Sequence, residues 1–446
     1  MPTTPVGSSN RKPLLAKNPF RGPHPGVTVP YLVVGEAAFL LALVLAAWRA
    51  PDLLDFYYQG PVLAITHLLT LGWITMTIMG ASFLVVPMIF LIPLFSERLG
   101  RAQFAFMLAG LVAMVVSFWA GRWEGVAAGA GLILLAAVLY LVNMAMTLRR
   151  MERRDVGAEY IAAAFLYLGA TVVLGNAMAL DKLFDFLGGD VLATIDAHTH
   201  LAALGWATMM IVGVAHKMIP LLHVGDPAEV RRSRIRFWLL NGGLWGLIAA
   251  LLGRSRWAGV FALLVAVGFG LVLARLSRGA RQGRKRAIDW PTRFALTSFG
   301  FLGVAVFVGL ALALGMIEEE ATAARAAFTY GFIGLVGWIS LMIVGMSFRV
   351  TPLVVWMHQY APRRQQGEPV PPVNSLSSAK RQAISYSLCV PGILLGAAGL
   401  FLQSVPVLRT GLVLLILGFL VFETDMLSVY RHLWRAMSAP VASPAS

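Results

Sequence analysis

Apolar residues run along this chain in blocks of roughly 20, each closed by a short polar or proline- and glycine-bearing stretch. That length crosses the hydrocarbon of a bilayer as an α-helix, so each block predicts a membrane span. Twelve are predicted, at about residues 28–49, 60–94, 102–121, 125–148, 159–180, 191–223, 237–253, 257–274, 294–316, 322–357, 382–403 and 406–430. The fold class is therefore all-α: a polytopic membrane protein with twelve transmembrane helices. The second, sixth and tenth spans are the longest.

Those three spans carry one pattern. THLLTLGWITMTIMGASFLVVP starts at Thr66, THLAALGWATMMIVGVAHKMIP at Thr199 and GFIGLVGWISLMIVGMSFRVTP at Gly331. Each has Gly-Trp, then Ile-x-Gly, then a proline fourteen residues after the tryptophan. Agreement at these offsets in three places predicts an internal repeat. It divides the chain into three four-helix units in pseudo-threefold arrangement, about 28–148, 159–274 and 294–430. They form one membrane domain, 28–436, flanked by disordered cytoplasmic tails at 1–27 and 437–446.

Charge changes the picture in one respect, the orientation. The formal net charge of +15 invites a nucleic-acid reading, but its distribution argues against one. With the N-terminus inside, the tails and inner loops hold 27 Lys and Arg and the outer loops hold 7. Such an asymmetry predicts both termini in the cytoplasm and a location in the cytoplasmic membrane. RLSRGARQGRKR (275–286) then anchors topology and contacts lipid headgroups, and no nucleic-acid partner is expected. The N-terminal stretch has no apolar core or cleavage site and predicts no removable signal peptide. The single cysteine, Cys389, excludes disulfides, CxxC metal sites and CxxCH haem attachment within the chain.

Polar groups inside the apolar blocks are the candidate chemistry, because such groups are costly in hydrocarbon. DAHTHLAALGW (196–206) opens the sixth span with His198 and His200, and His67 matches His200 in the second repeat stretch. In the third stretch the equivalents of His200 and His198 are Phe332 and Tyr330. Residues two apart point about 200° apart on a helix, so His198 and His200 face different neighbours. The expectation is that His200 meets His67 as a bis-imidazole pair for a haem iron, while His198 turns toward a cavity shared with Tyr330. Gly72 and Gly205 are expected to make room for the flat ring, and Asp196 to orient an imidazole. Metal ligands here are thus His67, His198 and His200, with a simple histidine–carbonyl bond as the plainer alternative.

Other groups have ordinary readings beside sharper ones. Arg409, placed in an outer loop, either binds a haem propionate or is a plain loop arginine. Lys217 and Arg349, at equivalent repeat positions, are expected to snorkel to headgroups. His24, His223, His358 and His432 read as interfacial. Glu36, Glu423 and Asp425 are intramembrane carboxylates, with Asp425 expected to pair with Arg431. The methionines of the repeated spans, Met76, Met79, Met209, Met210, Met342 and Met346 among them, suit Cu(I) or plain packing.

Twelve spans, cytoplasmic termini, three four-helix units and histidines near the outer ends of the second and sixth spans resemble subunit I of the haem–copper oxidase superfamily, which includes nitric oxide reductases. The resemblance covers the whole chain in architecture and the three repeat stretches in sequence. It implies His67 as a low-spin haem ligand and His200 or His198 as the sixth-span ligand. The histidines that the family carries on its seventh span, and its His-x-His near the outer end of the tenth, have no counterpart here. The usual copper site and haem pair therefore cannot be built, and a haem between the second and sixth spans is implied instead. GMSFRVTPLVVWMH (345–358) is also similar to the Gly-Met-x-x-Arg stretch of the NnrS family of haem- and copper-containing membrane proteins. Together these imply a b-type haem, with copper left open, and electron transfer or binding of a small gas (NO or O2). Membrane lipid and a redox partner subunit are the other expected partners. The alternatives are a cofactor-poor accessory or assembly subunit and a transporter; transporter repeats are usually inverted, whereas these run the same way.

Overall fold

The computed structural model describes residues 22–152, 155–218, 227–282 and 288–435. Among them are twelve helices long and apolar enough to cross a membrane. In chain order they are α1 (Pro25–Trp48), α2 (Gly60–Phe90), α3 (Glu97–Ala120), α4 (Trp123–Leu148), α5 (Val156–Phe184) and α6 (Val191–His216). The chain continues through α7 (Arg232–Leu252), α8 (Ala258–Arg275), α9 (Trp290–Ala313), α10 (Glu320–Gln359), α11 (Ala379–Phe401) and α12 (Val405–Leu433). No strand occurs among the described residues.

Local chemistry sets the helix ends. Ser96, Asp155, Asp190, Asp289 and Ser378 each turn a side-chain oxygen onto a backbone N–H of the turn that follows, satisfying donors that a helix start leaves open. Glycine in the left-handed region closes α3 at Gly121, where no side chain would be tolerated without strain.

The helices α2, α6 and α10 are the most buried, and the others pack around them. An even number of crossings brings both described ends to one side. Edge contact between the His24 and His358 rings (centroids 5.3 Å apart) and the 2.7 Å bond between Tyr360 and His432 tie that end together. At the opposite end Arg409 donates to the Ala47 carbonyl, Arg254 pairs with Asp190, and the Trp48 and Trp119 rings stack.

Candidate functional site

Each of α2, α6 and α10 widens into π-type turns at the same register: Leu68–Thr75, Leu201–Thr208 and Ile333–Ser340. The wide stretch begins directly after His67, His200 and Phe332, and ends on a hydroxyl two residues past the tryptophan. A π-type turn loosens the backbone ladder, and the hydroxyls respond. Thr208 Oγ1 donates to the Ala203 carbonyl five residues back, and Ser340 Oγ to the Leu335 carbonyl, both at 2.7 Å.

The tryptophans link the three helices. Trp206 Nε1 donates to Thr75 Oγ1 at 3.3 Å, and Trp338 Nε1 to Thr208 Oγ1 at 2.9 Å. The third link of this cycle, from Trp73 to Ser340, is not made. The indole N–H of Trp73 has no protein partner, and its ring stacks on Phe39 instead.

Glycines of the repeat stretches serve helix approach, which corrects the expectation that they open space for a flat ring. A Cβ on Gly72 would lie 2.6 Å from the Ala38 Cβ, one on Gly205 2.5 Å from the Tyr167 ring, and one on Gly337 2.9 Å from Phe301. The second glycine of each stretch behaves alike: Gly80 against Tyr31, Gly213 against Tyr160 and Gly345 against Phe294. In each case the partners are seven residues apart on the preceding α1, α5 or α9. Small residues at such crossings let membrane helices approach closely.

The imidazoles sit just before the wide turns. His67 Nδ1 lies 2.7 Å from the Leu63 carbonyl, and His200 Nδ1 2.7 Å from that of Asp196. A carbonyl only accepts, so both Nδ1 atoms carry the proton and both Nε2 atoms present a lone pair. It is thus the backbone of Asp196, not its carboxylate, that orients His200. The His200 lone pair is occupied, because Tyr330 Oη stands 3.2 Å from Nε2 and donates to it. His198 has His67 as its electrostatic neighbour and hydrogen-bonds the Thr171 backbone. Its Nδ1 is buried without a protein partner. A Cβ on Gly175 of α5 would stand 2.9 Å from the His198 ring, so that glycine is what admits it.

The pairing rule is therefore cyclic and shifted. The position of His67 in one repeat faces that of His198 in the next, and the position of His200 faces that of Tyr330. The remaining combination, Phe332 with Ile65, is apolar. His67, His198 and His200 are all half-buried. Phe118 covers His67 with ring centroids 4.8 Å apart.

Remaining candidates fall elsewhere. Arg409 belongs to the first turns of α12, and its bond to Ala47 ties α12 to the end of α1. Arg349, part-exposed, holds Asp289 and Thr292 at the start of α9 at 2.7–2.9 Å. Asp425, fully buried, is bonded by Ser377, the Ser378 N–H and Arg381, which corrects the expected pair with Arg431. His216 bonds the Val212 carbonyl and stacks on Tyr160. His223 and the Lys217 side chain lie outside the described residues. Among the described residues no three His, Cys, Asp or Glu side chains cluster as a metal site. The hydroxyls Thr75, Thr208 and Ser340 went unread in the sequence, although each stands two residues after its tryptophan.

No protein-family model matches this chain, and no curated protein does.

Proposed function

We propose that the chain is an integral membrane haem protein of oxidase-like build, with three four-helix units and both termini in the cytoplasm. In this reading a b-type haem is held between α2 and α6 by His67 and His198, rather than by His67 and His200. The observation that carries it is the buried Nδ1 of His198, which has no protein partner, in a residue whose electrostatic neighbour is His67. The His67 proton is already committed to Leu63, which is how ligating imidazoles are commonly oriented.

The donor set is of the kind that iron in a porphyrin takes: two imidazoles, His67 on α2 and His198 on α6. Gly72 and Gly205 are not part of that fit, since both are taken up by helix packing. When bound, haem supplies one-electron chemistry or an open position for a small gas. Two imidazole ligands point to electron transfer with a redox partner subunit; a single one points to NO or O2 binding. What the protein's own groups contribute is orientation of His67 by Leu63 and enclosure by Phe118. Copper is the other ion that imidazole suits.

The test is an absorption spectrum and pyridine-haemochrome assay on protein purified from haem-supplied cells. A Soret band in the wild type, lost or displaced in His67→Ala and His198→Ala but kept in His200→Ala, is expected. Absence of haem in the wild type sinks the cofactor reading. Haem that survives both substitutions unchanged sinks the ligand assignment alone.

A further inference from the structure

Glu36 of α1 is 4% exposed in the middle of its helix, and Tyr430 Oη of α12 donates to its Oε1 at 3.0 Å. Glu423, two helical turns earlier on α12, is its electrostatic neighbour. One oxygen of Glu423 has no protein partner, although the residue keeps some accessible surface. Thr351 of α10, fully buried, turns its hydroxyl toward that of Tyr430.

Among the described residues no positive charge is paired with this cluster. Among the described residues neither glutamate has an ion pair, and Arg349 on α10 is engaged by Asp289. The next acid on α12, Asp425, is bonded by Ser377, Ser378 and Arg381. On α2, Thr77 Oγ1 abuts Gly35, the residue before Glu36, and lacks a protein partner. Two neighbouring carboxylates without a cation cannot both stay ionised in a membrane interior. Buried hydroxyls without protein partners are, as a rule, satisfied by water. Thr77 of α2 supplies such a hydroxyl against α1.

We infer that Glu36 and Glu423 form an intramembrane proton-binding site in which the two carboxyls share one exchangeable proton. Tyr430 holds one oxygen of Glu36 in place, and water reaches the pair from the partly accessible Glu423. The tyrosine is a positioning residue: it donates to the carboxylate and leaves the other oxygens to the shared proton. Nothing in this depends on haem.

Infrared difference spectroscopy on the intact protein in lipid nanodiscs, titrated with pH in H2O and D2O, tests it. The expected result is a protonated-carboxyl C=O band that titrates, shifts on deuteration and disappears in the Glu36→Gln/Glu423→Gln double variant. Each single variant alters its frequency or midpoint, because the proton belongs to both groups. Tyr430→Phe displaces the band without removing it. A wild type with no such band overturns the inference without recourse to any variant. So does a single variant with a band identical to the wild type's. Loss of the band on adding sodium at constant pH would assign the neutralising charge to a metal cation instead, and equally overturns it.

Discussion

Trp338 donates its indole N–H to Thr208 at 2.9 Å, joining α10 to α6 at the level where both helices widen. The same relation joins Trp206 to Thr75, while Trp73 is left without a partner. Both tryptophan links depend on the hydroxyl two residues past the neighbouring tryptophan, which in Thr208 is already turned back onto its own helix.

Thr208→Val should therefore cost about 1–3 kcal/mol, since it leaves both the Trp338 donor and the Ala203 carbonyl without their partner. Ser340→Ala should cost less, because no tryptophan donates to Ser340. Thermal unfolding of the purified variants in one detergent measures the difference. Equal losses would show that the indole bond contributes nothing.

Gly205→Ala places a methyl 2.5 Å from the Tyr167 ring, which is itself stacked on Trp245. The ring has little freedom to withdraw, so a loss of roughly 1–3 kcal/mol or a failure to assemble is expected. Gly334→Ala, in the same kind of wide turn but with open space around it, is the control and should be tolerated. Expression and monodispersity on size exclusion read both.

Asp425→Ala removes the buried acceptor of Ser377, of the Ser378 N–H and of Arg381 at once. A cost on the order of 3 kcal/mol is expected from three orphaned donors, one of them charged. Asp425→Asn keeps part of the set and should fall between. Hydrogen exchange at the start of α11 should rise first, since Asp425 secures that helix end.

Asp289 gives a pH dependence. Burial opposes its ionisation, but hydrogen bonds from Thr292 and Arg349 and the Arg349 charge outweigh it and hold the carboxyl below its ordinary value. A depressed folded-state value means stability that is present above the unfolded value, about 3.9, and lost as pH falls through the folded one. The wild type should lose more thermal stability than Asp289→Asn on going from neutral pH to below that value. Parallel losses in the two proteins would count against the assignment.

Tyr330→Phe removes the donor on His200 Nε2 but touches neither His67 nor His198. Any haem spectrum should therefore be unchanged in this variant. A displaced Soret band would return His200 to the ligand set.

Several features were legible in the residues alone. Block length determined twelve spans, and repetition of Gly-Trp at constant offsets picked out α2, α6 and α10 as the recurring helices, because both follow from one-dimensional spacing. Helical period also required His198 and His200 to face different neighbours, as they do. Which neighbour each meets was decided only by the tertiary structure, since the sense in which three helices turn about one another leaves no trace in their spacing. That turn gives His200 to Tyr330. It likewise fills the space beside Gly72 and Gly205 with Ala38 and Tyr167, because a small residue marks a close approach without naming what approaches. Glu36 and Glu423 lie almost four hundred residues apart, and their proximity exists only because the first and last helices pack together.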